Sequence, residues 1–357
     1  MSLPKKMKAL VAYGLGDYKL EEIPTPQPGM REILLKVEAC GICAGDVKAY
    51  HGAARFWGGD GMPGYAQPPF TPGHEFIGEV VAVGEGVDES IAIGDRMVSE
   101  QIVPCGLCRF CREGRYWLCQ PHDVYGFKHY LNGGMAQYVL LPANARNYKI
   151  PQSIPTKKAL LIEPFACSKH CVDRSQASYD DIVVLAGAGT LGLGMVGALR
   201  LRNPKKMIVL DVRPERLAMA TRFGADLTLN PAKDDVAGVL AELTDGYGCD
   251  IYIEATGHPS AVQQGLDLLR KAGRFIEFSV MSSSSTVDWS LIGDAKELDI
   301  LGSQLSPHCF PQVIDWIAQD AIPTDGVVTH LFTLEEWQEA FHVAEHDKTA
   351  LKVAIQP

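Results

Sequence analysis

Three side chains that can bind metals stand in glycine-rich stretches near the N-terminus. Cys43 lies in Gly-Ile-Cys-Ala-Gly-Asp46, and His74 and Glu75 follow thirty-one residues later in Pro-Gly-His-Glu. A thiol, an imidazole and a carboxylate can hold a divalent zinc ion and leave one coordination position open for a substrate. The residue types therefore favour a catalytic metal site and an enzyme.

Four more cysteines share one polar loop. They are Cys105, Cys108, Cys111 and Cys119, at spacings of three, three and eight. Four thiolates complete a tetrahedral zinc site and leave no open position, so the pattern predicts a structural zinc lobe. Two disulfides or four reduced thiols are the alternative. An iron-sulfur cluster has the right ligand type, but the spacing matches neither ferredoxin pattern.

A glycine-rich turn follows a continuous apolar run at 181–186 and precedes an apolar helix. This strand, turn and helix order is typical of a dinucleotide fold, in which the helix N-terminus offers free N–H groups to the pyrophosphate. The predicted roles are a tight turn for the first glycine, close approach to the cofactor for the second and helix packing for the third. The predicted contact residues are Gly187, Gly189, Thr190, Leu191 and Gly192.

The next strand ends in Asp211, nineteen residues after Gly192. An acidic side chain there can bind both ribose hydroxyls and repel a 2′-phosphate, which favours NAD over NADP. Arg213 and Arg216 stand nearby. A guanidinium can accommodate that phosphate, or it can belong to a solvated helix face, so Arg216 is a candidate cofactor contact.

The chain changes character along its length. Short strands punctuated by Gly and Pro precede residue 150, which predicts a β-rich domain with the form of a distorted barrel. Strands and helices alternate after residue 180. The alternation predicts a parallel, doubly wound Rossmann sheet and an α/β fold class. A length of 357 residues with 46% hydrophobic content agrees with two domains.

Charge and hydropathy exclude several function classes. A net charge of −10 argues against a nucleic-acid partner, which would require a basic stripe. The sequence has no run of eighteen apolar residues, and its first residues lack the apolar core of a signal peptide. We therefore expect a cytoplasmic protein with no membrane partner.

Taken together, these motifs resemble the zinc-dependent medium-chain dehydrogenase/reductase (alcohol dehydrogenase) superfamily, in its polyol (sorbitol-like) and threonine dehydrogenase branch. The resemblance covers essentially the whole chain. It is carried by the two cysteine patterns, the glycine turn and the following segments: Gly41-Ile-Cys43 with Asp46, Gly73-His74-Glu75 with Gly78, Gly94-Asp95-Arg96, and Glu163-Pro164.

The resemblance implies a GroES-like catalytic domain at residues 1–160 and 302–357 and an NAD-binding domain at 161–301. It implies two zinc ions per chain and the oxidation of a secondary alcohol, foremost a sugar alcohol, to a ketose with hydride transfer to NAD. Dehydrogenation of threonine, another amino alcohol or a simple alcohol is the alternative, and a non-catalytic NAD- and zinc-binding protein is a more distant one. A dimer or tetramer is also implied.

Glu163 is an acid within the otherwise apolar stretch 159–166, and buried acids are rare unless they are paired or bind a metal. A carboxylate at the start of a helix is the plainer interpretation. The resemblance implies that Glu163 lies at the catalytic zinc. Cys43 and His74 would then hold the metal with either Glu75 or Glu163, and Asp46 would fix the tautomer of His74.

Two positions beside Cys43 depart from the family pattern. Gly45 and Lys48 stand where relatives commonly carry a hydroxyl residue and a histidine of the proton path. Lys48 can relay a proton if burial lowers its pKa, and an exposed lysine is the plainer interpretation. Tyr50 and His51 are further candidates.

The segment from Arg55 to Pro72 is rich in Gly, Pro and aromatic residues, and we expect it to be a long loop. It makes the gap between the two ligand motifs longer than is usual in this family. The hypothesis is that Trp57, Tyr65 and Phe70 shape a substrate mouth suited to a shorter polyol. Packing within the loop is the alternative.

Overall fold

A computed structural model describes residues 3–59, 61 and 63–357. The chain divides into two compact units, Met1–Glu163 with Phe310–Pro357 and Pro164–Cys309. The boundaries expected from the sequence differ slightly, because residues 161–163 belong to the first unit and 302–309 to the second. The first difference assigns Glu163 to the same unit as Cys43 and His74.

The first unit is built mainly from short strands. Its elements up to residue 159 are β1 Lys6–Gly14, β2 Asp17–Pro24, β3 Ile33–Gly41, α1 Ala44–Tyr50, α2 Ala54–Trp57, β4 Glu75–Val83, β5 Arg96–Ser99, β6 Ile102–Val103, α3 Arg109–Arg112, β7 Asp123–Val124, β8 Tyr138–Leu141, β9 Asn147–Lys149 and α4 Thr156–Ala159.

The second unit alternates strands and helices, after which the chain returns to the first. The elements are α5 Ile162–Ser175, β10 Ile182–Ala186, α6 Thr190–Arg202, β11 Lys206–Leu210, α7 Pro214–Phe223, β12 Leu227–Leu229, α8 Val236–Leu243, β13 Cys249–Glu254, α9 Pro259–Leu268, β14 Leu269–Glu277, β15 Asp299–Gly302, α10 Phe310–Ala318, β16 Val328–Thr333, α11 Trp337–His346 and β17 Lys352–Gln356.

A seven-stranded sheet organises the first unit, in the order β16-β17-β3-β4-β5-β9 with β8 also paired to β3. β3 pairs antiparallel with β4 so that Gly41 lies opposite Glu75. This register brings together two motifs that are far apart in sequence. On its other side β3 pairs with β17, where Ala354 lies opposite Gly41. Three strands thus meet where the candidate metal ligands stand.

The second unit contains a six-stranded parallel sheet in the order β12-β11-β10-β13-β14-β15. All five residues of β10 are buried, as expected for a strand covered on both faces. The strand order reverses between β10 and β13, which is where doubly wound sheets bind ligands. The predicted α/β class with a Rossmann sheet is confirmed.

Some local expectations were wrong. The segment expected to be a loop begins with the short helix α2, and helix α1 follows Cys43 directly although the first half shows little helical periodicity. Short helices carry too few periods for their pattern to stand out, and neighbouring elements fix their bounds.

Candidate functional site

Cys43 is the N-cap residue of helix α1. Its Sγ atom accepts a hydrogen bond from the Gly45 N–H at 3.4 Å, and Oδ2 of Asp46 accepts the Cys43 N–H at 2.9 Å. This reciprocal arrangement is a capping box in which a thiol replaces the usual hydroxyl. Local sequence therefore fixes the thiol at the end of β3, with its sulfur near free N–H groups.

Asp46 also faces His74. Its Oδ1 atom lies 3.7 Å from Nδ1 of His74, and each of these buried atoms lacks a hydrogen-bond partner. Burial opposes a charged imidazole, but the charge of Asp46 and a hydrogen bond with Cys43 raise the pKa of His74 well above its ordinary value. The ring is thus held between a carboxylate and a thiol, with Asp46 on its Nδ1 side.

Glu75, the first residue of β4, is held by Lys352 of β17. The Lys352 ammonium donates to both carboxylate oxygens, at 2.5 and 2.8 Å, and to the Ile42 carbonyl oxygen at 3.2 Å. Both side chains are buried. A Cβ atom at position 41 would overlap the Glu75 carboxylate, so Gly41 makes room for it. The sequence did not single out Lys352, because its partner lies 277 residues away.

Glu163 lies in the first turn of α5 and is 5% exposed. Its negative charge raises the pKa values of both His74 and Lys352. A carboxylate that acts on these two groups lies within the electrostatic reach of the site. Both candidate acids therefore act on the charged groups of the site, and Glu75 is the one with a donor atom within 4.8 Å of those of Cys43 and His74.

These residues suit a divalent metal. One donor atom from each of Cys43, His74 and Glu75 lies within 4.8 Å of the other two. Neighbouring ligand atoms in a tetrahedral zinc site are roughly 3.5 Å apart, given bond lengths of about 2.0–2.3 Å. Small movements would bring the set to that spacing. The short distances from the Glu75 carboxylate to the donor atoms of Cys43 and His74 favour Glu75 as the third ligand. Lys352 already donates to both oxygens of Glu75, and this favours Glu163 instead.

An aromatic pair lies next to these donors. A Cβ atom at Gly45 would lie 3.7 Å from Cys43 Sγ and 3.8 Å from the Phe56 ring. The Phe56 ring stacks on Phe127 at 5.1 Å with a 9° interplanar angle, and the Phe127 ring lies 5.9 Å from that of His74. Sequence reasoning missed both phenylalanines. Phe56 stands in the segment predicted to shape a substrate mouth, whereas Phe127 belongs to no motif.

The three aromatic residues predicted to shape a substrate mouth contact segments outside the loop. Phe70 belongs to the core, and Trp57 donates its indole N–H to the Ala49 carbonyl oxygen at 2.7 Å. The Tyr65 hydroxyl lies 2.7 Å from the His122 carbonyl oxygen. These contacts join the loop to other segments, and a role for the three side chains in shaping the substrate mouth stays a prediction. The ring next to Gly45 and Cys43 is that of Phe56.

The proton-path candidates lie on or next to α1. Lys48 is half-buried in its last turn, and a relay through this residue stays a prediction. Tyr50 packs edge-on against Tyr18 at 5.0 Å. Nε2 of His51 lies at hydrogen-bond distance, 2.8 Å, from Oε2 of Glu345. Both aromatic candidates are therefore engaged by neighbours on other elements.

The four-cysteine loop is a compact cluster. Its four sulfur atoms lie within 4.8 Å of one another, and none forms a disulfide. Backbone N–H groups of Leu107 and Cys108 donate to the Cys105 sulfur at 3.4 and 3.3 Å, and that of Gln120 donates to Cys108 at 3.4 Å. Such bonds stabilise thiolates, and they lower the pKa of Cys108 to about 6. The donor set suits a closed tetrahedral zinc site.

The glycine turn after β10 has the geometry that a phosphate-binding turn requires. Gly187 has φ +103°, and a Cβ atom there would lie 2.6 Å from the Ala255 carbonyl oxygen. A Cβ atom at Gly192 would overlap the Gly187 carbonyl group. At Gly189 the nearest atom is Nη1 of Arg216, 3.8 Å away, so open space remains above the start of α6. This opening, with Thr190 and Leu191 at the free helix N-terminus, fits a dinucleotide pyrophosphate.

Asp211 joins the end of β11 to that turn. Its carboxylate accepts the backbone N–H groups of Ala188 and Arg213, each at 2.9 Å. Nη1 of Arg216 lies 3.9 Å from Asp211, and Nε of Arg216 is buried with no hydrogen-bond partner. The acid and the guanidinium thus face the space beside Gly189, and a polar ligand there would satisfy Arg216.

Comparison with known proteins agrees with this geometry. The model for the alcohol dehydrogenase GroES-like domain matches residues 29–152, and that for zinc-binding dehydrogenases matches 190–319. An erythritol/L-threitol dehydrogenase of Mycolicibacterium smegmatis is 48% identical over 357 residues, covering 99% of each chain. A sorbitol dehydrogenase of Halalkalibacterium halodurans is 31% identical, covering 98% of this chain and 99% of the relative.

A solved structure extends the likeness to three dimensions. The structure of rspB from Escherichia coli CFT073, described as a short chain alcohol dehydrogenase in complex with NADH, has a TM-score of 0.88. The two chains are 31% identical, and their alignment covers 99% of this chain and 100% of the rspB chain. The cofactor of that protein is of the class predicted from the glycine turn.

The chain belongs to the zinc-dependent medium-chain alcohol dehydrogenase superfamily. Within it, the relatives place the chain in the polyol dehydrogenase branch, so it is a dehydrogenase that uses a nicotinamide cofactor and zinc. The family, the enzyme class and the two cofactors predicted from the sequence are thus confirmed. In the described part of the chain, no helix has the length and apolar character needed to cross a membrane.

Proposed function

We propose that the enzyme oxidises a secondary hydroxyl of a four-carbon polyol, erythritol or threitol, to the ketose while NAD is reduced. The choice of a short substrate rests on the stacked rings of Phe56 and Phe127, which lie beside Cys43 and His74. The 48% identity to an erythritol/L-threitol dehydrogenase supports the same substrate class. The carbon atom loses a hydride to NAD, and the hydroxyl loses its proton to solvent.

Cys43 and His74 hold the catalytic zinc together with one acid, Glu75 or Glu163. Asp46 Oδ1, 3.7 Å from Nδ1 of His74, keeps the proton on that nitrogen and leaves the other nitrogen for the metal. When bound, zinc supplies a Lewis acid that lowers the pKa of an alcohol hydroxyl. The four cysteines of the loop hold the second, structural zinc.

The second unit binds the cofactor through its glycine turn. The N-terminus of α6 and the opening at Gly189 receive the pyrophosphate, while Asp211 binds the adenosine ribose. Arg216 contacts the same part of the cofactor through its partly buried guanidinium, whose Nε atom has no hydrogen-bond partner in the protein. Two backbone N–H groups donate to the Asp211 carboxylate and fix its position. Its negative charge there repels a 2′-phosphate, which supports NAD over NADP.

Phe56 limits the length of the substrate. Its ring lies beside Gly45, where a side chain would reach toward the Cys43 sulfur, and stacking on Phe127 restrains it. A short polyol places its few carbons beside these rings, whereas a six-carbon polyol has a longer chain to accommodate. Removal of the Phe56 ring opens this wall.

A substrate panel tests the proposal. The panel contains erythritol, threitol, xylitol, sorbitol, 2,3-butanediol and threonine with NAD or NADP, and reduced nicotinamide is measured. We expect the highest kcat/KM for a four-carbon polyol with NAD. In Phe56→Ala we expect the ratio of kcat/KM for xylitol or sorbitol to that for the four-carbon polyol to rise by about tenfold. A change of this size corresponds to the gain or loss of one methylene group in an apolar pocket.

Phe110→Ala is the matched control, because Phe110 is a half-exposed aromatic residue of the cysteine loop and contacts Arg115. A preference for threonine, or an unchanged chain-length profile in Phe56→Ala, would contradict the tetritol proposal. Equal use of NAD and NADP would contradict the role given to Asp211.

We also propose a cytoplasmic homo-oligomer, a dimer or tetramer. An end strand of the parallel sheet supports assembly, because β15 has a pairing edge that no strand of the described chain covers, with Ile300 44% exposed on it. Light scattering of the protein as it elutes from a gel-filtration column measures its mass in solution and thus its oligomeric state. A monomer at all concentrations would contradict an oligomer.

A further inference from the structure

Two exposed histidines stand one turn apart on the last helix. His342 and His346 of α11 are at positions i and i+4, and their rings are 4.5 Å apart with a 24° interplanar angle. Nδ1 of His346 lies 3.2 Å from the His342 carbonyl oxygen. Two histidines at this spacing on one helix face can bind a single metal ion, as they do in helical zinc motifs.

A carboxylate and a third imidazole adjoin this pair. Oε2 of Glu345 lies 2.8 Å from Nε2 of His51 and 3.7 Å from Nδ1 of His346. One carboxylate oxygen therefore lies between imidazoles from two different elements. The side chains of His51, Glu345 and His346 are 53%, 35% and 59% exposed, so each can rotate and exchange ligands with solvent.

The local electrostatics attract a cation. The C-terminus of a helix carries partial negative charge, and His346 stands in the last turn of α11. The carboxylate of Glu345 adds a full charge, and the whole chain is acidic, with a net charge of −10. Imidazole nitrogen with carboxylate oxygen is a donor set that favours zinc, nickel or copper over calcium or magnesium.

We propose that His342, Glu345 and His346, with His51 as a further donor, form a surface site for a divalent transition metal of the zinc class. The site is separate from the two cysteine-containing clusters. In the described chain only those two clusters have all donors within 4.8 Å of one another, so binding here requires the exposed side chains to rotate inward.

Occupancy would connect two elements of the first unit. His51 is the C-cap residue of α1, the helix that begins after Cys43, and Glu345 belongs to α11. A metal ion held by both would replace a solvent-exposed hydrogen bond between their side chains by coordinate bonds. Metal binding therefore stabilises the fold, and it does so whatever the substrate of the enzyme is.

Nickel titration of the zinc-loaded, tag-free full chain tests the site. We expect calorimetry to give one bound Ni²⁺ per chain, with a rise in the thermal midpoint and no loss of zinc. His342→Ala and His346→Ala each abolish this binding, and Glu345→Gln weakens it by about tenfold. These substitutions are on the surface, and circular dichroism and zinc content verify that the variants are folded.

His129→Gln is the control, because His129 is an exposed histidine of the same unit outside this cluster. It should bind Ni²⁺ like the wild type. The proposal is overturned if the wild type binds no Ni²⁺, if His342→Ala and His346→Ala bind it as tightly as the wild type, or if nickel uptake releases zinc one for one.

Discussion

The two cysteine-containing clusters of the first unit are assembled in opposite ways. The four thiols of the loop come from fifteen consecutive residues, 105–119, and need little else of the fold. Cys43, His74 and Glu75 come together because β3 pairs with β4, and Lys352 joins them from β17. A local cluster of like donors suits a closed structural site, whereas strands from distant parts of the chain build an open site of mixed donors.

The clusters also differ in how their charge is balanced. Backbone N–H groups lower the pKa values of Cys105 and Cys108, whereas burial raises those of Cys111 and Cys119. Around Cys43, carboxylates are buried and burial raises the pKa of Asp46. The buried Lys352 ammonium offsets part of that negative charge. Two of the loop thiolates are therefore stabilised by the loop's own backbone, whereas the charges around Cys43 depend on partners from distant strands.

The largest expected effect is on catalysis. Cys43→Ser should lower kcat by at least about a thousandfold, because loss of the zinc ion forfeits several kcal/mol of Lewis-acid stabilisation. NADH binding, measured by fluorescence, should remain nearly unchanged. Cys249→Ser is the control, since Cys249 is buried in the second unit and its thiol contacts the Leu268 carbonyl oxygen. Unchanged turnover in Cys43→Ser would refute the metal assignment.

Substitution in the loop should affect stability instead. Cys108→Ser removes one of four ligands, and the zinc count should fall from two to one per chain. Loss of a metal present at a thousandfold its dissociation constant lowers the free energy of unfolding by about 4 kcal/mol. Chemical denaturation with and without added zinc measures this change. Leu107→Ala, an exposed neighbour in the loop, should be neutral, and equal zinc content in both variants would contradict a structural site.

Lys352 tests whether the catalytic cluster depends on charge balance. Lys352→Met leaves the Glu75 carboxylate buried without its ammonium partner, which should destabilise the protein by about 3 kcal/mol. The double variant Lys352→Met with Glu75→Gln should recover most of this loss. Denaturation midpoints of both variants give the answer, and an additive loss in the double variant would show that the pair is not coupled.

The same double variant bears on the choice of acid. If Glu163 is the third ligand, the variant retains its catalytic zinc, and Glu163→Gln loses it. If Glu75 is the ligand, the outcome reverses. Zinc content after gel filtration distinguishes the two.

The smallest expected effect concerns orientation of the imidazole. Asp46→Asn keeps the shape but removes the charge opposite Nδ1 of His74, and should weaken zinc binding by about 10–100-fold. Competition with a chelator measures this affinity. Asp17→Asn, an exposed acid of the same unit, should have no effect. Wild-type zinc affinity in Asp46→Asn would exclude a positioning role for this residue.

Most of the fold followed from local patterns. The buried run at β10, the glycine turn and the alternation after residue 180 predict the parallel sheet, because a strand covered on both faces must be continuously apolar. The interactions that join distant segments did not follow. Lys352 lies in a short C-terminal strand with no motif, and Phe127 is one aromatic residue among many.

The sequence by itself determined the donors: which thiols, imidazole and acids the chain offers, and the glycines that a dinucleotide requires. Their spacing along the chain sufficed, because ligand type and local turn geometry depend on neighbouring residues. Only the tertiary structure decided that Lys352 holds Glu75 and that Phe56 and Phe127 form the wall beside Cys43. Those contacts depend on strand register and packing between segments far apart in sequence, which no local pattern encodes.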